Sequence, residues 1–279
     1  IIKKWQKQYP KNITYLYKEN GGIASARNLG LNSVKTEWVT FIDSDDFVKN
    51  DYFKIIDDAI TKDNSIEMAV GNLMFYFDEN KTVKNTHSLK YRFKNEKNIV
   101  SVLNMDDNIN LFVTVTFFKT EHIVKEKIYF SEDIKPNFED GKFIADYLLS
   151  LNSGNVAYLK DAVFYYRKRS DGNSTIDTSW QKKEKFYNIL AFGYIPMLEG
   201  YKSKYGYVPK NIQWTILYEL SWHIKTILNQ SGKINFLEES QKQNYFQLVK
   251  SIFNYIDIDY IVDFNLIGVW FLYKVGMLG

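Results

Sequence analysis

Three carboxylates stand within four residues at Asp43-Ser44-Asp45-Asp46. Side chains this close repel one another unless a cation or hydrogen-bond donors offset the charge, and hard divalent ions accept such oxygen ligands. A bound Mg²⁺ or Mn²⁺ at this loop would bridge a diphosphate. The competing reading is a solvated acidic turn that caps the next helix, but better caps, Asn50 and Asp51, stand several residues downstream. A second acidic pair, Glu139-Asp140, follows Phe138 at the start of a helical pattern. A carboxylate so placed can take the proton of an acceptor hydroxyl as a general base, or can simply favour the positive end of the helix dipole. Asn20-Gly21-Gly22, ahead of a helix bearing Arg27, offers backbone N–H groups and a cation to a phosphate or nucleobase. An ordinary strand-to-helix turn with a surface ion pair has the same composition. Arg167, Lys168, Arg169 and Ser174 lie on or beside the polar segment 170–175, where they could close over a diphosphate or stand solvated at a strand end.

The elements that must position these groups are legible in outline. Ile13, Tyr15 and Tyr17 alternate like a strand, and Asn20-Gly21-Gly22 breaks the run before a helix whose inner face is Ile23, Ala26, Gly30 and Val34. Trp38-Val-Thr-Phe-Ile-Asp43 is an apolar run ending in acid, the pattern of a buried strand delivering its last residue to a loop. Open α/β sheets bind ligands at that end of their strands. A helix over residues 50–60 follows, capped by Asn50 or Asp51. Strands are expected at 66–77 and 81–93, a helix from about Asp140, two short strands within 155–169, and helical pattern from about residue 176 onward. Helices are expected at 180–204, 212–228 and 237–255, with an amphipathic packing helix over 256–278.

Composition bounds the function. The chain has 279 residues, 45% apolar and 25% charged, enough for one α/β domain and a smaller helical one. Its 17% aromatic content exceeds the usual need of a core, although core packing accounts for most of it. The absence of Cys excludes a disulfide framework, a thiolate metal site and a cysteine nucleophile, and fits a reducing compartment. A net charge of +3 is too small to argue for nucleic acid. No run of 18 apolar residues occurs. The opening IIKKWQKQYP carries no initiator Met and no signal-peptide run, and reads as a helix already in progress.

The order ENGGIASARNLGL, WVTFIDSDDF, FEDGKF and YYRKRSDGNST resembles bacterial family 2 glycosyltransferases with the A-type fold. The resemblance covers residues 1 to about 176 and is strongest toward enzymes that decorate wall teichoic acid, capsule or other surface glycopolymers. It implies a Rossmann-like mixed sheet, incomplete at its N-terminus, in a catalytic domain over residues 1–176 that precedes a helical region over 177–279. It implies inverting transfer from a UDP-sugar to a hydroxyl of a glycan or teichoic-acid-like acceptor, with Mn²⁺ or Mg²⁺ as cofactor. Asp140 would be the base and Glu139 would place the acceptor. Asp45 would ligate the metal and Asp43 would meet the ribose or uridine. Asn20 and Arg27 would hold the nucleotide, and Arg169 and Ser174 would meet the diphosphate or acceptor.

The resemblance further implies a cytoplasmic location, with room for peripheral association at the inner face of the membrane, and a parent chain that carries further domains. Some relatives carry a His after the last strand; here that stretch reads Asp171-Gly172-Asn173. About fifty residues of the family pattern, with its first strands, are expected ahead of Ile1. Two rival functions share some features. One is a non-catalytic sugar-nucleotide or glycan-binding module. The other is a haloacid-dehalogenase-like phosphotransferase with Asp43 as nucleophile, against which Phe47 occupies a position where Thr or Val is expected.

Overall fold

The structure is a computed structural model that describes residues 1–169, 178–269 and 271–278. Strand β1 (Trp38–Val39), β2 (Phe47–Val48), β3 (Ile66–Phe77), β4 (Thr82–Lys84), β5 (Lys97–Ser101), β6 (Thr116–Lys119) and β7 (Asn155–Lys168) form one mixed sheet. Its order is β1-β6-β3-β7-β2, with β4 beside β3 and β5 beside β7. β3 and β7 pair in parallel, while β6 runs antiparallel to both β1 and β3. β1, β3 and β7 therefore point the same way, and the acidic loop after β1 meets the ends of β3 and β7.

Helices α1 (Ile2–Gln8), α2 (Ile23–Leu31), α3 (Tyr52–Lys62), α4 (Thr120–Glu126) and α5 (Glu139–Ser150) accompany the sheet. One apolar core lies between the sheet and its helices, built on fully buried side chains such as Tyr52, Phe118, Phe143 and Phe164. A second core belongs to the helical region, with Tyr194, Leu198, Ile216 and Phe264 at its centre. It also takes in Leu89, Ile109, Leu111, Ile134, Phe138 and Ala145. The two cores thus meet across α5, and residues well before 176 are part of the helical one. Among the described residues no helix is long and apolar enough to cross a membrane.

Several local expectations are corrected. Residues 13–17 form no strand, because no described strand lies beside them to receive their backbone groups. β1 leaves its ladder after Val39, where Phe41 turns into an aromatic cluster with Phe118, Phe130 and Phe143. The second half of the expected strand 81–93 is a 3₁₀ turn, Ser88–Phe93, started by the His87 ring accepting the Leu89 N–H at 3.1 Å. Residues 155–168 are one strand rather than two. Its register jumps from Gly71↔Leu159 to Asn72↔Val163, and the Asn72 amide donates to the Lys160 carbonyl at the bulge, 3.0 Å. Asp51 occupies the N-cap of α3 without a capping bond, and one of its carboxylate oxygens pairs with Lys49 at 3.0 Å. The expected helix 180–204 is a 3₁₀ turn at Lys183–Phe186, a π-helical turn at Ile189–Tyr194 and regular α-helix only over Ile195–Tyr205. The final segment is two short helices, Ile258–Asp263 and Phe271–Leu278, separated where Ile267 and Gly268 take positive φ.

Candidate active site

Arg27 is the centre of the site. Its helix begins at Gly22, whose φ of 89° suits glycine, and the Asn20 side chain closes that turn by accepting the Gly22 N–H at 3.0 Å. One turn into α2, Asn28 fixes the helix against the segment before α5. Its amide donates to the Phe130 carbonyl and its carbonyl accepts the Phe130 N–H, both at 2.9 Å. Phe130 stacks on Phe143 of α5 at 4.2 Å and lies under the Arg27 guanidinium at 5.3 Å. The guanidinium is consequently buried and aimed at the start of α5.

There it meets three carboxylates: Asp140, Glu139 at 3.4 Å and Asp43 at 3.2 Å. The other Asp140 oxygen accepts the backbone N–H of Val113 at 3.3 Å. Burial works against the charge on Arg27, but Asp140, Asp43 and Glu139 together outweigh it and hold its pKa above the usual value. The acids move the other way. Burial, then the charge of Asp140, push Glu139 up to about 7 although Arg27 opposes the rise. Burial also raises Asp140, against the pull of Arg27 and the Val113 N–H. Two adjacent carboxyls that share one guanidinium titrate as a pair, and the pair releases its last proton nearer neutrality than an exposed Asp or Glu does.

The acidic loop forms a second, more open cluster. Arg169 meets Asp45 at 3.2 Å, with both side chains well exposed. Asp46 accepts the Arg167 N–H at 2.9 Å, and Arg167 pairs with Asp78 at 2.6 Å. Burial and the neighbouring Asp45 and Asp43 charges raise Asp46 to about 6, while the Arg167 N–H opposes them. Asp43, Asp45 and Asp46 offer only hard oxygen donors in a region with surplus negative charge, a donor set that suits Mg²⁺ or Mn²⁺. Their oxygens are not gathered into a cage. Among the described residues, the group whose ligand atoms already lie within 4.8 Å of one another is Glu67, Glu121 and His122. That group stands at the opposite end of β3, where Lys119 already pairs with Glu67 at 3.0 Å.

Asp43, Glu139 and Asp140 are thus joined through Arg27, and Asp45 is joined to Arg169. Asn20 is held in its turn, and no hydrogen bond or ion pair described here links it to the carboxylates. Ser174 lies outside the described residues. The sequence reading counted Asp46 among the carboxylates of the acidic loop without giving it a role of its own, and passed over the Asn28–Phe130 clamp, Asp78 and the Val113 N–H. These last three carry no local signal, because their partners lie 27 to 102 positions away along the chain.

Comparison with known proteins adds two kinds of likeness. Residues 1–120 match the family model described as "Glycosyl transferase family 2". The chain is 26% identical over 276 residues to the minor teichoic acid biosynthesis protein GgaB of Bacillus subtilis, covering 98% of this chain and 29% of the relative. It is 29% identical over 251 residues to GgaA of the same organism, covering 88% and 53%. The chain therefore spans from under a third to about half the length of these relatives. In fold it resembles the crystal structure of residues 1–349 of S. aureus TarS in complex with UDP-GlcNAc. The TM-score is 0.64 at 16% identity, over 93% of this chain and 70% of the other.

Proposed function

We propose, from the match of residues 1–120 to the family model for glycosyl transferase family 2, that the chain transfers a sugar from a UDP-sugar, with inversion, to a hydroxyl of a cell-surface glycopolymer. The observation that carries this reading is the Arg27 centre, which joins Asp43 after β1 to the two buried carboxylates opening α5.

In this reading Asp140 takes the proton from the acceptor hydroxyl. The acceptor oxygen then forms its bond to the anomeric carbon as the bond from that carbon to the diphosphate breaks on the opposite face. The electron pair leaves with the diphosphate. A base must be free of its proton at rest and take one up as the hydroxyl attacks, so a carboxyl whose proton affinity is raised suits the step. Arg27 favours the ionised form of Asp140 against the burial that raises its proton affinity. Glu139, beside it on the same guanidinium, orients the acceptor by hydrogen bonding. Asp43 sits at the donor side of Arg27 and is open enough to meet the nucleoside. Arg169 supplies positive charge where the leaving diphosphate develops negative charge. Asp45, with Asp43 and Asp46 beside it, would hold Mn²⁺ or Mg²⁺, which when bound supplies Lewis-acid neutralisation of the diphosphate.

The glycopolymer class is supported by the names of GgaB and GgaA, and the UDP donor by the ligand in the TarS structure. The test is incubation of the protein with a panel of UDP-sugars and polyol-phosphate or glycan acceptors, with products identified by mass spectrometry and their anomeric configuration by NMR. Transfer with an inverted anomeric centre is expected. A retained configuration would remove Asp140 from its role, and binding without turnover across the panel would favour a binding module.

A further inference from the structure

Phe138, the residue that precedes the acidic pair, is buried and holds φ at 87°, a left-handed conformation that a bulky side chain seldom adopts. Its ring is held on two opposite edges by glycines. A Cβ on Gly141 would lie 2.6 Å from the Phe138 Cε2, and a Cβ on Gly193 would lie 3.0 Å from its Cδ1. Gly141 follows the acidic pair on α5. Gly193 belongs to the helical region, in the π-helical turn Ile189–Tyr194. The next residue of that turn, Tyr194, is fully buried and meets the Phe138 ring edge-on at 4.6 Å. A second tie lies alongside: the buried Lys185 ammonium donates to the Asn137 side-chain carbonyl at 3.2 Å. π-Helical turns are rare and concentrate at functional sites, and this one leaves a slot where an aromatic ring enters.

We propose that the helical region holds the catalytic carboxylates in place through this socket, which makes Phe138, Gly193 and Lys185 positioning residues for the transfer. The inference rests on the reading of Asp140 as base. The ring fixes the entry to α5, and the two carboxylates are the first two residues of that helix, so movement of the ring passes directly into their position. The helical region is thereby part of the catalytic apparatus.

Gly193→Ala places a methyl against the ring edge. A shift of a few tenths of an ångström to 1 Å in the carboxylates should lower kcat about tenfold or more, while donor affinity stays within about twofold, because the donor loop after β1 is untouched. Lys185→Gln removes the second tie without adding bulk and should lower kcat in the same sense, with Lys185→Arg restoring most of it. The acidic limb of the kcat–pH profile should move in both lowered variants, a change that loss of general stability does not produce. Phe138→Leu combined with Gly193→Ala should cost less than the sum of the two, since the smaller side chain yields space to the methyl. Asp140→Asn is measured in parallel. If Asp140→Asn is inactive while folded Gly193→Ala and Lys185→Gln keep the parental kcat and pH profile, the socket inference is overturned and the base assignment stands. If both variants lose donor affinity in step with kcat, the contacts are merely structural and the inference is again overturned. Parental turnover in Asp140→Asn would remove the base assignment itself, and this inference with it.

Discussion

Replacing Arg27 by Gln tests the centre of the site without reference to turnover. The change leaves Asp43, Glu139 and Asp140 facing one another with no counter-charge. Removing one partner of a buried ion pair costs about 3–5 kcal/mol, because the remaining charge is neither solvated nor paired. Glu139 and Asp140 are 11% and 18% exposed and bear the full effect, whereas Asp43 at 38% is screened by water and adds little. The lower end, about 3 kcal/mol, is therefore expected near pH 8. For a chain of this size each kcal/mol moves Tm by roughly 2–4 °C, which gives a fall of about 10 °C. The loss must depend on pH. Without Arg27 the carboxyls have still higher affinity for protons in the folded state than in the parent, so the folded variant takes up protons over a wider range. Its stability relative to the parent improves as pH falls, and the gap in Tm should narrow clearly between pH 8 and pH 5. Thermal unfolding followed by circular dichroism at the two pH values is the assay. A fall of less than about 2 °C at pH 8, or the same fall at both values, would refute the buried pairing of Arg27 with Glu139 and Asp140.

Asp140→Asn keeps the shape of the base but not its proton affinity, and turnover should drop by about 10²-fold or more with donor binding nearly intact, as read by steady-state kinetics and calorimetry. Asp45→Ala should abolish the divalent-ion dependence of UDP-sugar binding; equal Mn²⁺-dependent affinity in variant and parent would contradict the metal role. In the parent, kcat should rise as pH is raised toward and through about 7, because the Glu139–Asp140 pair must give up its proton before the acceptor can be deprotonated. A flat profile from pH 5 to 8 would place the base elsewhere. Cation-assisted donor affinity should fall as pH drops below about 6, where Asp46 becomes protonated and the acidic loop loses negative charge.

The sequence by itself determined the chemistry on offer and most of the element types. An apolar run ending in Asp43, an acidic pair opening a helical pattern and a glycine turn before Arg27 are short-range signals, written within a few residues each. The period of the apolar positions likewise located β3, α3, α5 and helix Lys210–Asn229 to within a few residues. Only the tertiary structure decided what these groups do to one another. Arg27 read from its own neighbours is a cation at a phosphate-binding turn; in the fold it is enclosed by carboxylates 16, 112 and 113 positions away. The alternation of residues 13–17 reads as a strand, yet a strand exists only where another supplies hydrogen-bond partners. The π-helical turn at Ile189–Tyr194 reads as ordinary helix, since its departure from α geometry coincides with Phe138 entering between Gly141 and Gly193. Local propensity and periodicity act along a few residues of chain. Charge pairing, strand pairing and the fit of a ring between two glycines act through space, between segments that only folding brings together.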